Sequence, residues 1–121
     1  MSLHYVPRSL PRELAFAMRG VIGSVPYSVL RHVDRGVADA LAAVCRATRF
    51  DVVYADHLSM MEYAKGLGIP IVHDAHNVEY QIVKRFASTA GWGPKRAMAE
   101  IEWRKVRAYE ADAYRRCQLI Y

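Results

Sequence analysis

The chain has 121 residues, of which 53% are hydrophobic and 24% charged, and this composition is that of a globular domain and excludes a disordered chain. Its 17 basic and 12 acidic side chains leave a net charge of +5, so we expect anionic partners such as phosphates, nucleotides or an acidic membrane surface. Cys45 and Cys117 lie far apart without a C-x-x-C pattern, which predicts reduced thiols and a cytoplasmic protein.

Helical and strand patterns alternate along the sequence. An irregular segment over 4–11 leads into a helix that begins at Pro11. Ser59 and Glu62 have the spacing of a capping box, which predicts a helix start there. From the apolar periodicity we predict further helices over 28–48, 59–66, 78–87 and 95–116, and strands over 51–55, 69–75 and 118–121. This order predicts an α/β fold, with a parallel sheet of about three strands flanked by helices.

The polar residues that follow the second predicted strand are the main candidate site. The run 69–72 is β-branched apart from Pro70, which is typical of a strand buried on both faces. We expect Asn77 to cap the next helix, with Glu79 in its first turn. In open α/β sheets, ligands bind beyond the carboxyl ends of the strands. His73, Asp74 and His76 therefore lie where a ligand is expected.

His76 is the strongest candidate, because it directly precedes a helix N-terminus. A histidine there can donate to a phosphate or a sugar hydroxyl, beside backbone N–H groups that hold an anion. A packing or capping role fits the same position. If the strand continues through Ala75, His73 and His76 lie on opposite sides, which argues against a metal site that uses both.

A second polar pair, Asp56 and His57, follows the first predicted strand and could contact the same ligand. Solvation of a loop tip explains this pair equally well. Zinc bound by Asp56, His57 and His76 is a further alternative, but their spacing is not diagnostic, and we predict no metal and no cofactor.

The long predicted helix carries basic residues interleaved with Glu100, Glu102, Glu110 and Asp112, a pattern typical of a solvated face, so we predict no nucleic-acid binding. Trp92, in the glycine-flanked loop 88–94, is either a contact residue or a lid on the core.

Three segments resemble the N-terminal domain of family 4 (group 1) glycosyltransferases. The segment 70–79 reads PIVHDAHNVE and is similar to the strand that ends in a His-Asn-x-Glu type motif in that family. The segment 109–121 reads YEADAYRRCQLIY and resembles a helix with a late glutamate that leads into a strand. The strand over 51–55 resembles the family's preceding D-V-V strand.

The resemblance implies a retaining glycosyltransferase built from two Rossmann-like domains, the GT-B architecture. By this resemblance, His76 is the catalytic histidine that contacts the donor's sugar or phosphate, and Asn77 shapes the loop. Asp56, His57 and Asp74 would bind the acceptor. The implied partners are a nucleotide-sugar donor and a glycan, lipid or small-molecule acceptor.

The sequence also departs from the family. It lacks the glycine-rich first loop and the second domain with its pair of glutamates at the donor site. We therefore expect residues 1–121 to form a single partial Rossmann-like domain that contributes the acceptor side of the cleft and is inactive alone. We also expect self-association through an open sheet edge and, as one option, association with the inner membrane face. The alternative is a small flavodoxin-like module that binds an anion or a partner without catalysis.

Overall fold

The computed structural model describes residues 10–121, except for the side chains of residues 12 and 13, so most of the predicted irregular segment at 4–11 lies outside the described residues. The helices are α1 (Leu10–Ile22), α2 (Tyr27–Leu30), α3 (Arg35–Ala47), α4 (Met61–Ala64), α5 (Glu79–Thr89) and α6 (Pro94–Arg116). The strands are β1 (Val53–Ala55), β2 (Ile71–His73) and β3 (Leu119–Ile120), and a 3₁₀ turn (Leu58–Met60) precedes α4. None of the helices within 10–121 has the length and apolar character needed to cross a bilayer.

The three strands form a parallel sheet in the order β1-β2-β3, which confirms the predicted parallel arrangement. Val53 pairs with Ile71, and Val72 pairs with Leu119. Each strand is shorter than predicted, since the regular pairing stops where the chain turns towards the loops. The carboxyl ends of β1 and β2 lie side by side, because Ala55 pairs with His73.

The core lies on one face of this sheet. It is made of Ala55, Leu58, Met61, Ala64, Ile71, Val106 and Ala113, so α4 and α6 cover the same face. Crossovers of one hand between neighbouring strands place their helices on one side. The opposite face carries Tyr54, Val72 and Leu119, of which Tyr54 and Leu119 are exposed. The expectation that the second strand is buried on both faces is therefore wrong for the described chain.

The helix predicted over 28–48 is also wrong, because the chain breaks between Leu30 and Arg35. At the break, Asp34 Oδ1 accepts from the N–H groups of Gly36 and Val37, at 2.9 and 3.2 Å. The Tyr63 hydroxyl accepts from Asp34 N at 2.7 Å and donates to the His32 carbonyl at 3.0 Å. The N-cap Asp34 and the distant Tyr63 thus start a new helix at a point where the apolar stripe predicts one continuous helix.

The capping box predicted at Ser59 and Glu62 does not form. No side chain caps the 3₁₀ turn, which starts after His57. Glu62 instead accepts from the Tyr109 hydroxyl at 2.7 Å and pairs with Lys65. Its carboxylate therefore ties α4 to α6 and is not available to the turn's backbone.

The predicted long helix is confirmed as α6, which begins with Pro94 after Gly93. Its buried apolar residues are Ala99, Val106 and Ala113. Its surface carries ion pairs, with Arg104 3.0 Å from Glu100 and Arg116 2.8 Å from Asp112. Within the described residues, Cys45 and Cys117 form no disulfide.

Replacement of Asp34 by alanine removes the cap of α3. We expect α3 to lose about 0.5–2 kcal/mol of local stability. None of the α3 residues is buried, so the loss should be confined to this helix. Amide hydrogen exchange should therefore accelerate in α3 and remain unchanged in α6.

The matched control is Asp39→Ala, which replaces an exposed aspartate in the same helix. Equal acceleration in both variants, or in α6 as well, would contradict the assignment of Asp34 as the cap.

Candidate functional site

His57 and His76 lie side by side at the carboxyl edge of the sheet. The two ring centroids are 5.8 Å apart and the rings are inclined by 61°. His57 follows β1, and His76 lies in the loop after β2. Both residues are exposed. Parallel strands place their carboxyl ends at one edge, so residues 19 apart in the sequence (76 − 57) meet in space.

Asp74 links His76 to a residue that the sequence analysis missed. Asp74 Oδ1 lies 3.3 Å from His76 Nδ1, and Asp74 Oδ2 accepts from the Tyr54 hydroxyl. This hydrogen bond to the carboxylate is the main cause that raises the pKa of Tyr54, so Tyr54 stays a phenol that donates. The sequence signal for Tyr54 is the strand period of two, because it puts Tyr54 on the same face as the candidate residue Asp56.

Asp56 lies close enough to Tyr54 that its negative charge also raises the pKa of that tyrosine. Asp56 itself is exposed. The site therefore consists of Tyr54, Asp56, His57, Asp74 and His76, with Asp74 between the tyrosine and a histidine. Among the described residues, direct contacts join Asp74, His76 and His57, whereas Asp56 acts on Tyr54 through its charge and Asn77 does neither.

The predicted role of Asn77 as an N-cap is wrong. Helix α5 begins at Glu79, its capping position is Val78, and no side chain of that residue binds the helix. The acceptor for the first turn comes from another helix, because Glu110 Oε1 accepts from Glu79 N at 2.9 Å. A carboxylate at this position also interacts favourably with the positive end of the α5 dipole.

Glu110 is 3% exposed, which corrects its placement on a solvated face. Its Oε1 also accepts from the Tyr114 hydroxyl at 3.0 Å. Burial, followed by the charge of Glu110, raises the pKa of Tyr114 well above its usual value. Glu110, which is buried, and Tyr114, which is partly buried, thus form a hydrogen-bonded pair at the start of α5, where the loop that carries His76 ends.

His73 lies on the opposite side from His76, as predicted. It is 2% exposed, its Nδ1 donates to the Ala55 carbonyl at 2.9 Å, and its ring lies 5.6 Å from that of Tyr114. The strand ends at His73 and does not reach Ala75, so the loop, and not the strand alternation, places His76 outside. His73 is a structural residue of the described domain.

A cavity of about 350 Å³ adjoins the site and includes His57 and Glu79 in its wall. Its other polar residues are Ser28, His32 and Ser59, and its apolar residues are Val29, Leu58, Met60, Val83 and Val106. The volume is in the range of small-ligand pockets. Within residues 10–121, no group of three His, Cys, Asp or Glu side chains is placed to hold a metal ion, at this site or at any other.

Comparison of the chain with protein-family models, with curated proteins and with solved structures found no match. The resemblance to glycosyltransferases therefore depends on the segments 51–55, 70–79 and 109–121 themselves.

The raised pKa of Tyr114 predicts a specific alkaline destabilisation. The usual pKa is 10.0, so the unfolded chain releases this proton above pH 10 while the folded chain retains it. Stability conferred by the protonated Tyr114 is thus complete below pH 10 and declines as the pH rises further. Tyr114→Phe should cost about 1.5–3 kcal/mol at neutral pH, through the lost bond to a carboxylate, and should make the decline above pH 10 shallower.

Urea unfolding at neutral and alkaline pH measures both effects. Tyr121→Phe, at an exposed position, is the control and should reproduce the original pH dependence. An unchanged slope above pH 10 in Tyr114→Phe would contradict the hydrogen-bonded Tyr114–Glu110 pair.

Proposed function

We propose that this domain forms the acceptor side of the cleft in a retaining, nucleotide-sugar-dependent glycosyltransferase of the GT-B architecture. The observation that carries the proposal is the exposed His76, which lies between Asp74 and His57 at the carboxyl edge of a parallel sheet. This edge is where the resemblance places the catalytic cleft.

A contact between the segments that carry the resemblance supports the proposal. Glu79 closes the His-Asn-x-Glu motif, and Glu110 is the late glutamate of the segment 109–121. The two are joined by the bond from Glu79 N to Glu110 Oε1. The late glutamate therefore has a physical role, since it orients the first turn after the motif's histidine.

His76 would act on the phosphate that leaves the donor sugar. The His76 ring, with Asp74 3.3 Å from its Nδ1, can donate a hydrogen bond to a phosphate oxygen, where negative charge develops as the glycosidic bond breaks. Asp74 orients the ring. Tyr54 in turn holds Asp74 through the hydroxyl hydrogen bond.

The acceptor would be bound by Asp56, His57 and Asp74, whose carboxylate and imidazole groups suit sugar or polyol hydroxyls. The adjoining cavity has room for a small glycan unit or a comparable acceptor group. A nucleotide-sugar donor would be held mainly by a second domain, with Asn77 shaping the loop between them. No cofactor takes part in the proposed reaction.

Replacement of His76 by alanine in the full-length protein that contains this domain should abolish most transfer while preserving the fold. The side chain is 52% exposed, so little stability is lost. A hydrogen bond to developing charge contributes about 2.7–4 kcal/mol, which corresponds to a rate loss of about 100- to 1000-fold. Release of nucleoside diphosphate and the melting temperature measure the two effects.

His73→Ala is the matched control on the buried side of the same loop. It should lower the melting temperature, because it empties a buried site and removes one of the two hydrogen bonds to the Ala55 carbonyl, which also accepts from Asp74 N. Activity per folded molecule should be largely kept. An exchange of these behaviours would overturn the site assignment.

The isolated 121-residue chain should transfer no sugar, and turnover by it would contradict the assignment as an acceptor-side domain. Binding of inorganic phosphate at His57 and His76 without transfer by the full-length protein would favour the anion-binding module instead.

A further inference from the structure

A largely apolar groove of about 400 Å³ lies between α1, α5 and α6 and shares Val83 with the cavity that adjoins the candidate site. Val21, Phe86, Met98 and Ile101 contribute to its walls. A second depression, of about 620 Å³, shares Phe86 and Lys95 with it and continues along the loop to Trp92. The two depressions and the outer side of α1 form one surface, which we call the groove face.

Helix α1 turns an apolar stripe outward on this face. Leu10, Leu14, Met18, Val21 and Ile22 recur at intervals of four, four, three and one, which places them on one side of the helix. Their exposed fractions lie between 51% and 83%. Trp92 is 94% exposed. A stripe of this kind normally packs on a protein core, so its exposure indicates a contact with an apolar phase.

The position of α1 is fixed by contacts at its C-terminal end. Lys105 Nζ, on α6, donates to the carbonyls of Val21 and Gly23, each at 2.6 Å, and to that of Gly20. Helix α1 also packs closely on α2, because a Cβ at Gly20 would lie 2.8 Å from Tyr27 Cβ. The stripe therefore faces outward in a set orientation.

Basic side chains border the groove face. Lys95 lines both depressions, and the Arg96 guanidinium lies 5.0 Å from the centroid of the Trp92 ring. The nearby carboxylate of Glu102 is already occupied, since it accepts from the N–H groups of Tyr27 and Ser28.

We propose that the groove face binds the surface of an anionic lipid bilayer. Helix α1 lies in the plane of the interface with its stripe among the acyl chains, as amphipathic helices do. Trp92 sits at the headgroup level, which tryptophan prefers. Lys95 and Arg96 contact the lipid phosphates, and this contact anchors the domain electrostatically.

The charges argue against a second copy of the chain as the occupant. In a symmetric dimer the same patch meets itself, so two copies joined here would bring four cations, Lys95 and Arg96 of each copy, into one interface. A bilayer with anionic headgroups satisfies the apolar stripe and the cations together. This inference does not depend on the proposed transferase activity, which concerns another surface.

Vesicle flotation with the 121-residue chain tests the proposal. Vesicles of phosphatidylcholine alone are compared with an equal mixture of phosphatidylcholine and phosphatidylglycerol. We expect flotation with the mixed vesicles, weakened by added salt. In the Trp103→Phe variant, the remaining Trp92 should shift its fluorescence to shorter wavelength when the vesicles bind.

Two double variants address the two halves of the groove face. Leu14→Glu with Met18→Glu should abolish flotation. Lys95→Gln with Arg96→Gln should weaken it about 25-fold, at about fivefold for each cation. Arg115→Gln with Arg116→Gln removes the same charge at the other end of α6 and should have little effect, as should Leu119→Glu on the uncovered sheet face.

Thermal unfolding shows whether each variant folds. Trp92→Ala removes the most exposed large hydrophobic side chain within residues 10–121 and gives a second test of the apolar part. The proposal is overturned if the original chain does not float with mixed vesicles, or if the groove-face variants float as well as their controls. A dimer in light scattering that Leu14→Glu with Met18→Glu dissociates, without vesicle binding, would assign the face to a second copy instead.

Discussion

The arrangement of the candidate site depends on the hydrogen bonds that the buried carboxylate of Glu110 accepts. It accepts from Glu79 N at the start of α5 and from the Tyr114 hydroxyl within α6. A buried charge is costly unless donors surround it, and here a helix N-terminus and a phenol supply them. Because the loop with Asp74 and His76 ends where α5 begins, the same bond fixes the far end of that loop.

The parallel sheet and the bounds of two helices were predictable from the sequence. The predicted bounds of α5 and α6 lie within two residues of the observed ones at each end. The alternation of helices and strands predicted a parallel sheet, in which a contact of His57 and His76 with one ligand was one of two interpretations that the sequence left open. Neither step required knowledge of contacts between distant residues.

The features that the sequence did not reveal depend on partners far along the chain. Glu110 looks like any other acidic residue of a charged helix until Glu79, 31 positions away, is brought to it. The break before α3 needs Tyr63, and the wrong cap at Asn77 follows from the same limitation. Likewise, β-branched residues favour a buried strand but do not specify a second layer, so the uncovered face with Tyr54 was not predicted.

The most direct measurement compares Glu110→Ala with Asp112→Ala, by urea unfolding and by the NMR signals of the histidine rings. Asp112 is an acidic residue of the same helix whose side chain is 47% exposed. Glu110→Ala should cost about 1–3 kcal/mol for each donor left without an acceptor, and it should shift the signals of both His57 and His76. Asp112→Ala should change the stability by about 0–1 kcal/mol and leave those signals in place. Equal stability losses, with unmoved histidine signals in Glu110→Ala, would show that the carboxylate does not hold the site together.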